Sequence, residues 1–429
     1  MRFREAALAF VPRHQSPAPP PLKIVAFRRA RDFQRIFEVR QIAGFMQSGL
    51  ERHTLVFGPD ARGSVANQTA FHEYTHYLLR SRQGINFPVW YEEGFASLLS
   101  TMRITDDAVT VGYVPPRVLE DVRRPRLSVR ALLDERYELD WARHDLTRLY
   151  ARAWLFAHML HFGHLAGLPA YHEGIPAMLA HIDSGMSNAG AMEEALGAGL
   201  ETLQRQVRQY ARRRDLPVQR LPVPDGAPAI RDERCLAETE VRQELAMTAV
   251  SRNREYARDL FARILETDPE DVDALVGLSL AEDNPRLARD AVIRALAVEP
   301  SHSAANVRMA EIKVAECRGS TATRCLDAWD EGARHYRLGL RTQPDSVGAA
   351  YGLGVVYLHT GQPGDAVNYL RVAYRRAPWA PRINFYLGEA YRLTGDRARA
   401  RTHLMKAMHW DADERRRERA SMALGLLGP

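Results

Sequence analysis

The sequence predicts an α+β region followed by an all-α repeat region. Three observations support this order: strand-like and helical segments mix up to about residue 213, a proline-rich stretch follows, and a 34-residue repeat lies beyond it. At 429 residues with 46% hydrophobic content, the chain can bury a core in each region. We therefore predict domains at residues 1–214 and 235–429, joined by a linker at 215–234.

The first region begins with two predicted strands. The segments "LKIVAF" from Leu22 and "HTLVFG" from His53 are rich in β-branched and aromatic residues and are bounded by turn-forming residues. Between them, "DFQRIFEVRQI" has the apolar spacing of a helix. Two further helical segments follow, "NQTAFHEYTHYLLR" and "VWYEEGFASLLS", with a Gly- and Pro-containing turn between them.

These two helices carry a candidate metal site. His72 and His76 are four residues apart, so a helix places both imidazoles on one face, where they can bind the same ion. Glu73 points beside the pair and can reach a water molecule as a general base. Either Glu92 or Glu93 can supply a third ligand from the second helix, and a shift of one residue rotates the side chain by about 100°.

The motifs HEYTH and WYEEGFAS resemble those of the gluzincin metallopeptidases, which have HExxH on one helix and a ligand glutamate before a glycine on the next. The resemblance, over about residues 22–160, implies Zn²⁺ ligands at His72, His76 and Glu93 and a catalytic Glu73. It also implies a thermolysin-like zincin domain with a small mixed sheet and helices. One position departs from the pattern, because Ser97 stands where family members often carry a carboxylate that orients a histidine.

The helical segment "RLYARAWLFAHMLHF" resembles the helix that closes the site in this family. The resemblance implies that Tyr150 stabilises the oxyanion, although a core tyrosine with its hydroxyl at the rim also fits the pattern. His158, His161 and His164 follow at helical spacing without a carboxylate or cysteine at ligand spacing. We therefore predict that these three histidines lie at the surface or at a helix end.

The second region repeats itself at an offset of 34 residues. The first copy carries Leu353, Gly354, Tyr357, Gly361, Ala366 and Ala373, and the second carries Leu387, Gly388, Tyr391, Gly395, Ala400 and Ala407. This pattern resembles the tetratricopeptide repeat family, whose arrays present a concave face that commonly binds peptides or proteins. We predict about four repeats in an all-α solenoid, with a capping helix in "RRRERASMALGLLG".

Charge, motifs, apolar segments and cysteines limit the possible binding partners and the cellular compartment. The net charge of +6 is spread over both regions, which argues against nucleic-acid binding, and no nucleotide or serine-hydrolase motif occurs. No apolar run of 18 residues predicts a transmembrane segment, and the opening residues do not form a signal peptide. The resemblance suggests a bacterial envelope or periplasm. Cys317 and Cys325 either form a disulfide, which would indicate an oxidising compartment, or are two unpaired thiols.

Two functions follow from these observations. The first is a zinc-dependent peptidase in which Glu73 is the general base and the repeats recruit a protein substrate or partner. The alternative is a catalytically silent, zinc-stabilised platform whose repeats act as a protein-binding scaffold. Glu73 favours the enzyme, because a structural zinc site does not need a base at that position.

Overall fold

A computed structural model of the protein describes residues 2–11, 21–37, 43–58, 64–83, 87–114, 128–134, 146–223, 234–317, 322–411 and 413–428. These residues are mostly helical and include two small sheets. No helix among them has both the length and the apolar character that a membrane span requires.

The first region contains helices at Arg2–Ala7 (α1), Ala30–Phe37 (α2), Ser64–Gln83 (α3), Val89–Ser100 (α4), Val129–Asp134 (α5), Leu146–Phe162 (α6), Tyr171–Asp183 (α7), Asn188–Leu196 (α8) and Leu200–Ala211 (α9). Helix α4 packs against both α3 and α6. Large aromatic side chains of α4 and α6 are fully buried at this contact, namely Trp90, Tyr91, Phe95, Trp154 and Phe156. Burial of such rings contributes strongly to core stability, so α4 is firmly held against α6.

A small mixed sheet precedes helix α3. Its strands are Leu22–Ala26 (β1), Gly44–Ser48 (β2) and His53–Phe57 (β3), in the order β1-β3-β2. Strand β1 runs parallel to β3, and β2 runs antiparallel to it. Both strands predicted from the sequence are present, and α2 joins β1 to β2. The predicted continuation of that helix, residues 38–42, lies outside the described residues.

A second sheet shortens the predicted linker. It consists of Arg103–Ile104 (β4), Val109–Val111 (β5) and Gln219–Leu221 (β6), paired antiparallel in that order. Strand β6 lies inside the stretch predicted as a linker, yet its backbone pairs with β5 of the first region. This part of residues 215–234 therefore belongs to the fold of the first region, whereas residues 224–233 lie outside the described part of the chain.

The second region is entirely helical in its described residues. Its helices are Glu238–Ala249 (α10), Arg254–Thr267 (α11), Val272–Ala281 (α12), Pro285–Val298 (α13), Ser303–Glu316 (α14), Ala322–Thr342 (α15), Val347–His359 (α16), Pro363–Arg376 (α17), Pro381–Leu393 (α18), Arg397–Trp410 (α19) and Glu414–Gly425 (α20). Each packs against the next, and first helices of successive pairs also touch, as in a solenoid. Over residues 234–428 the described helices form five pairs and a final helix, where the sequence predicted about four repeats and a capping helix.

Cys317 and Cys325 form a disulfide, which selects the first of the two alternatives left by the sequence. The bond joins the end of α14 to the beginning of α15. The intervening residues 318–321 lie outside the described residues.

Glycines that recur at the 34-residue offset have two structural roles. Gly361 and Gly395 adopt positive φ angles of 75° and 84° in the turns within their repeats, where a residue with a Cβ atom would be strained. Gly354 lets α16 approach α17, because a Cβ atom there would lie 2.5 Å from Leu370 Cγ. Gly388 has the corresponding contact with Leu404, at 2.7 Å. The repeated sequence thus encodes close helix packing.

Substituting Gly354 with alanine is expected to lower the free energy of unfolding by about 1–3 kcal/mol, because the new methyl group overlaps Leu370 in a packed core. Gly364 provides the matched control in the same repeat, since a Cβ atom there would meet nothing within 4 Å. Urea unfolding of both variants checks the prediction. Equal stability of Gly354→Ala and Gly364→Ala would show that α16 and α17 do not pack this closely.

The repeats contact the first region at several points. One core joins Phe33, Phe37 and Phe45 of the first region to Ala249 and Phe261 of the first helix pair. Near the other end of the array, Lys406 of α19 forms a 2.8 Å ion pair with Asp183 of α7, and both side chains are largely buried. The first region is therefore bound by both ends of its own repeat array.

A row of ring contacts connects the repeats to helix α3. Tyr77 of α3 packs against His53, and His53 packs against Trp379, with ring centroids 5.7 and 5.0 Å apart. Close by, the Glu51 carboxylate accepts hydrogen bonds from the Ser346 hydroxyl and from a backbone N–H in the first turn of α16. Tyr77 directly follows His76, so this row of ring contacts reaches the helix that carries the candidate site.

Candidate metal centre

Helices α3 and α4 bring three predicted ligands together. His72 Nε2 lies 3.2 Å from His76 Nε2, and Glu93 Oε2 lies 3.3 Å from the first of these nitrogens and 3.6 Å from the second. One ligand atom from each of the three residues lies within 4.8 Å of the other two. The two imidazoles and one carboxylate thus face a common point, although their role as ligands stays a prediction.

The local sequence explains this convergence. His72 and His76 share one face of α3 because four residues make slightly more than one helical turn. Pro88 has extended backbone geometry and directly precedes α4. The helix therefore begins at Val89, and the two glutamates lie near its start. Gly94 then allows α4 to lie against α6, since a Cβ atom at this position would be only 2.4 Å from the Ala153 carbonyl oxygen.

Glu92 contacts the other side of the His76 ring. Its Oε1 atom lies 3.1 Å from His76 Nδ1, so an N–H at this nitrogen can donate a hydrogen bond to the carboxylate. The structure therefore separates the two candidate glutamates: Glu93 approaches both Nε2 atoms, whereas Glu92 approaches only the Nδ1 edge of His76. Glu92 as the third ligand, the alternative left open by the sequence, does not fit this arrangement.

The charges in the cluster favour a cation. Burial lowers the pKa of His76, but the carboxylates of Glu93 and Glu92 outweigh burial and raise this pKa to about 10. Burial raises the pKa of Glu93, but the adjacent His76 and His72 outweigh it, so the pKa of this carboxyl falls well below its usual range. Without a metal, the cluster accordingly retains a proton on an imidazole beside an ionised carboxylate.

The donor set fits zinc. Two imidazole nitrogens and one carboxylate oxygen are the three protein ligands found in one common class of catalytic zinc site. Glu93 Oε2 is buried, and both Nε2 atoms lie within 4 Å of it. A buried carboxylate needs a positive charge nearby to offset its lost hydration, and a coordinated metal ion would provide that charge.

The two predicted catalytic residues lie beside the cluster. Glu73 follows His72 on α3 and is half-buried. The Tyr150 ring packs edge-on against His72, with centroids 5.9 Å apart. Burial, followed by the negative charges of Glu93 and Glu73, raises the pKa of Tyr150 above its ordinary value. The hydroxyl therefore stays protonated and can donate a hydrogen bond. Tyr150 is thus at the edge of the site.

The prediction for the three later histidines was wrong for His158, which is buried inside α6, whereas His161 lies in the last turn of that helix, although its side chain is also buried. His158 and His161 are buried, and burial lowers their pKa values to about 4 and about 3. His158 donates from Nε2 to the Gly112 carbonyl at 3.1 Å and accepts at Nδ1 from the Tyr210 hydroxyl at 2.8 Å. Both imidazoles are therefore neutral core groups, and hydrogen bonding accounts for the burial of His158. His164 is half-buried.

Comparison with known proteins identifies the second region. Residues 327–381 and 360–408 match the family model for the tetratricopeptide repeat. The C-terminal region thus carries tetratricopeptide repeats, as the 34-residue recurrence predicted. No curated protein sequence matches the chain.

Several solved structures resemble the chain over less than half of its length. A thermophilic tetratricopeptide-repeat protein from Thermus thermophilus has 23% identity and a TM-score of 0.37, with 43% of this chain and 98% of that chain covered. The pilF protein of Pseudomonas aeruginosa has 17% identity and a TM-score of 0.36, with 44% of this chain and 88% of that chain covered.

Proposed function

We propose that the protein is a zinc-dependent peptidase of the gluzincin type whose tetratricopeptide repeats bind a protein substrate or partner. The observation that carries the peptidase part is the convergence of His72, His76 and Glu93. The small mixed sheet followed by α3 and α4 is consistent with a thermolysin-like zincin domain. The protein-binding part has the more direct support, because the family match lies within the repeats.

Each residue of the site has a distinct chemical role in this proposal. His72, His76 and Glu93 would hold zinc, which supplies polarisation of a peptide carbonyl and activation of water. Glu73 would accept a proton from the attacking water and deliver it to the leaving amine. Tyr150 would donate a hydrogen bond from its hydroxyl to the oxygen on which negative charge develops.

A zinc-stabilised platform without catalysis is the second candidate. The comparisons favour it over the peptidase, because the tetratricopeptide repeats by themselves indicate a protein-binding scaffold. The contacts of α10, α11 and α19 with the first region also suit a scaffold, since they join the first region to the array. Both candidates require zinc at the cluster, and they differ in whether peptide bonds are cleaved.

Zinc removal provides the test. We expect the purified chain to contain stoichiometric zinc and to cleave members of a mixed peptide library, followed by mass spectrometry. Dialysis against a chelator is expected to abolish cleavage, and added zinc to restore it, because the ion activates the water. Zinc without any cleavage would favour the platform. A chain that binds no zinc, measured by elemental analysis and by titration, would contradict both candidates.

A further inference from the structure

The imidazole of His76 lies between two adjacent carboxylates of one helix. Its Nε2 atom is 3.6 Å from Glu93 Oε2, and its Nδ1 atom is 3.1 Å from Glu92 Oε1. Both glutamates belong to the first two turns of α4. The contacts place one carboxylate at each nitrogen of a single ring.

Helix geometry explains how consecutive residues reach opposite edges of the ring. Side chains of neighbouring residues on a helix diverge by about 100°, so Glu92 and Glu93 cannot point at the same atom. The two nitrogens of an imidazole likewise point in different directions. The two nitrogens of the His76 ring therefore point toward different glutamates, Nδ1 toward Glu92 and Nε2 toward Glu93.

Burial of the Glu92 carboxylate is costly unless a partner offsets its lost hydration. Glu92 is 2% exposed and His76 is 5% exposed. An ionised carboxylate removed from water to this extent needs a hydrogen-bond donor or a positive charge to offset its lost hydration. The Nδ1–H group of His76 is such a donor, at 3.1 Å.

We infer that Glu92 is a positioning residue, which holds the His76 ring so that Nε2 faces the metal cluster. It acts in place of the carboxylate that the sequence pattern expects one turn after Glu93, where this chain has Ser97. A hydrogen bond from Nδ1–H fixes the tautomer that leaves Nε2 unprotonated, and it makes the ring a stronger ligand. The inference rests on the proposed zinc site, and it adds the residue that orients one of its ligands.

The test measures zinc affinity by competition with a chelating dye in the full-length protein. Glu92→Gln keeps the shape and one acceptor oxygen but removes the charge, and Glu92→Met removes the acceptor as well. We expect the dissociation constant to rise about 10-fold for the first variant and about 100-fold for the second. Ser97→Ala is the matched control on the same helix and should leave the dissociation constant unchanged.

A second readout separates positioning from packing. In zinc-loaded protein labelled with ¹⁵N-histidine, the Nδ1–H proton of His76 should exchange slowly with water in the parent and rapidly in Glu92→Met. If Glu92 only filled space, methionine would shield this proton equally well and exchange would stay slow in the variant. Circular dichroism verifies that each variant is folded.

The outcomes distinguish the inference from the function on which it rests. A parent that binds zinc while both Glu92 variants bind it equally well would overturn the role of Glu92 alone. A larger effect of Ser97→Ala than of Glu92→Gln would also overturn it. A parent without zinc affinity would overturn the proposed function together with this inference.

Discussion

Replacing Glu73 with glutamine is expected to leave zinc bound and to lower kcat/KM for peptide hydrolysis about 10²–10⁴-fold. Glutamine has nearly the same shape as glutamate, but its amide does not accept a proton from water at neutral pH. Glu73 is also not one of the three converging residues, so its substitution should not remove a ligand. The measurement is the rate of cleavage of the best library peptide, with the zinc content of each preparation.

Glu201→Gln is a suitable control, because Glu201 is an exposed glutamate in α9 of the same region. It should retain the parental rate. Equal cleavage by Glu73→Gln and by the parent would contradict the assignment of Glu73 as general base. Loss of zinc in Glu73→Gln would instead indicate that this residue contributes to metal binding.

Replacing Gly94 with alanine is expected to lower the free energy of unfolding by about 3 kcal/mol and to reduce zinc binding. The new Cβ atom would lie 2.4 Å from the carbonyl oxygen of Ala153 and 2.7 Å from its carbonyl carbon. Both atoms belong to the backbone of α6, so no side-chain rotation relieves the overlap. Helix α4 must move, and Glu93, the residue before Gly94, moves with it.

Urea unfolding and zinc titration together test this prediction. Gly425→Ala is the control, because a Cβ atom at this exposed helix position would meet nothing within 4 Å. Its stability should be equal to that of the parent or slightly higher, since alanine favours helix more than glycine does. A Gly94→Ala protein with parental stability and parental zinc affinity would show that α4 and α6 do not approach as closely as the structure indicates.

Local patterns predicted much of the fold. The strands beginning at Leu22 and His53 follow from β-branched residues between turn residues, and the repeats follow from small and aromatic residues recurring every 34 positions. Features that depend on distant partners were missed. Strand β6 consists of only three residues and exists because it pairs with β5, more than 100 residues earlier. Burial of His158 likewise depends on Gly112 and Tyr210.

The same distinction between local pattern and distant contacts applies to the candidate site. The sequence alone determined that His72 and His76 share a face, because residues four apart on a helix always do. It also offered two adjacent glutamates, without indicating that both would contact one imidazole. Only the tertiary structure assigned Glu93 to the Nε2 side of His76 and Glu92 to the Nδ1 side. That assignment depends on how α4 is rotated and how closely it packs between α3 and α6, and helical periodicity carries no information about either quantity.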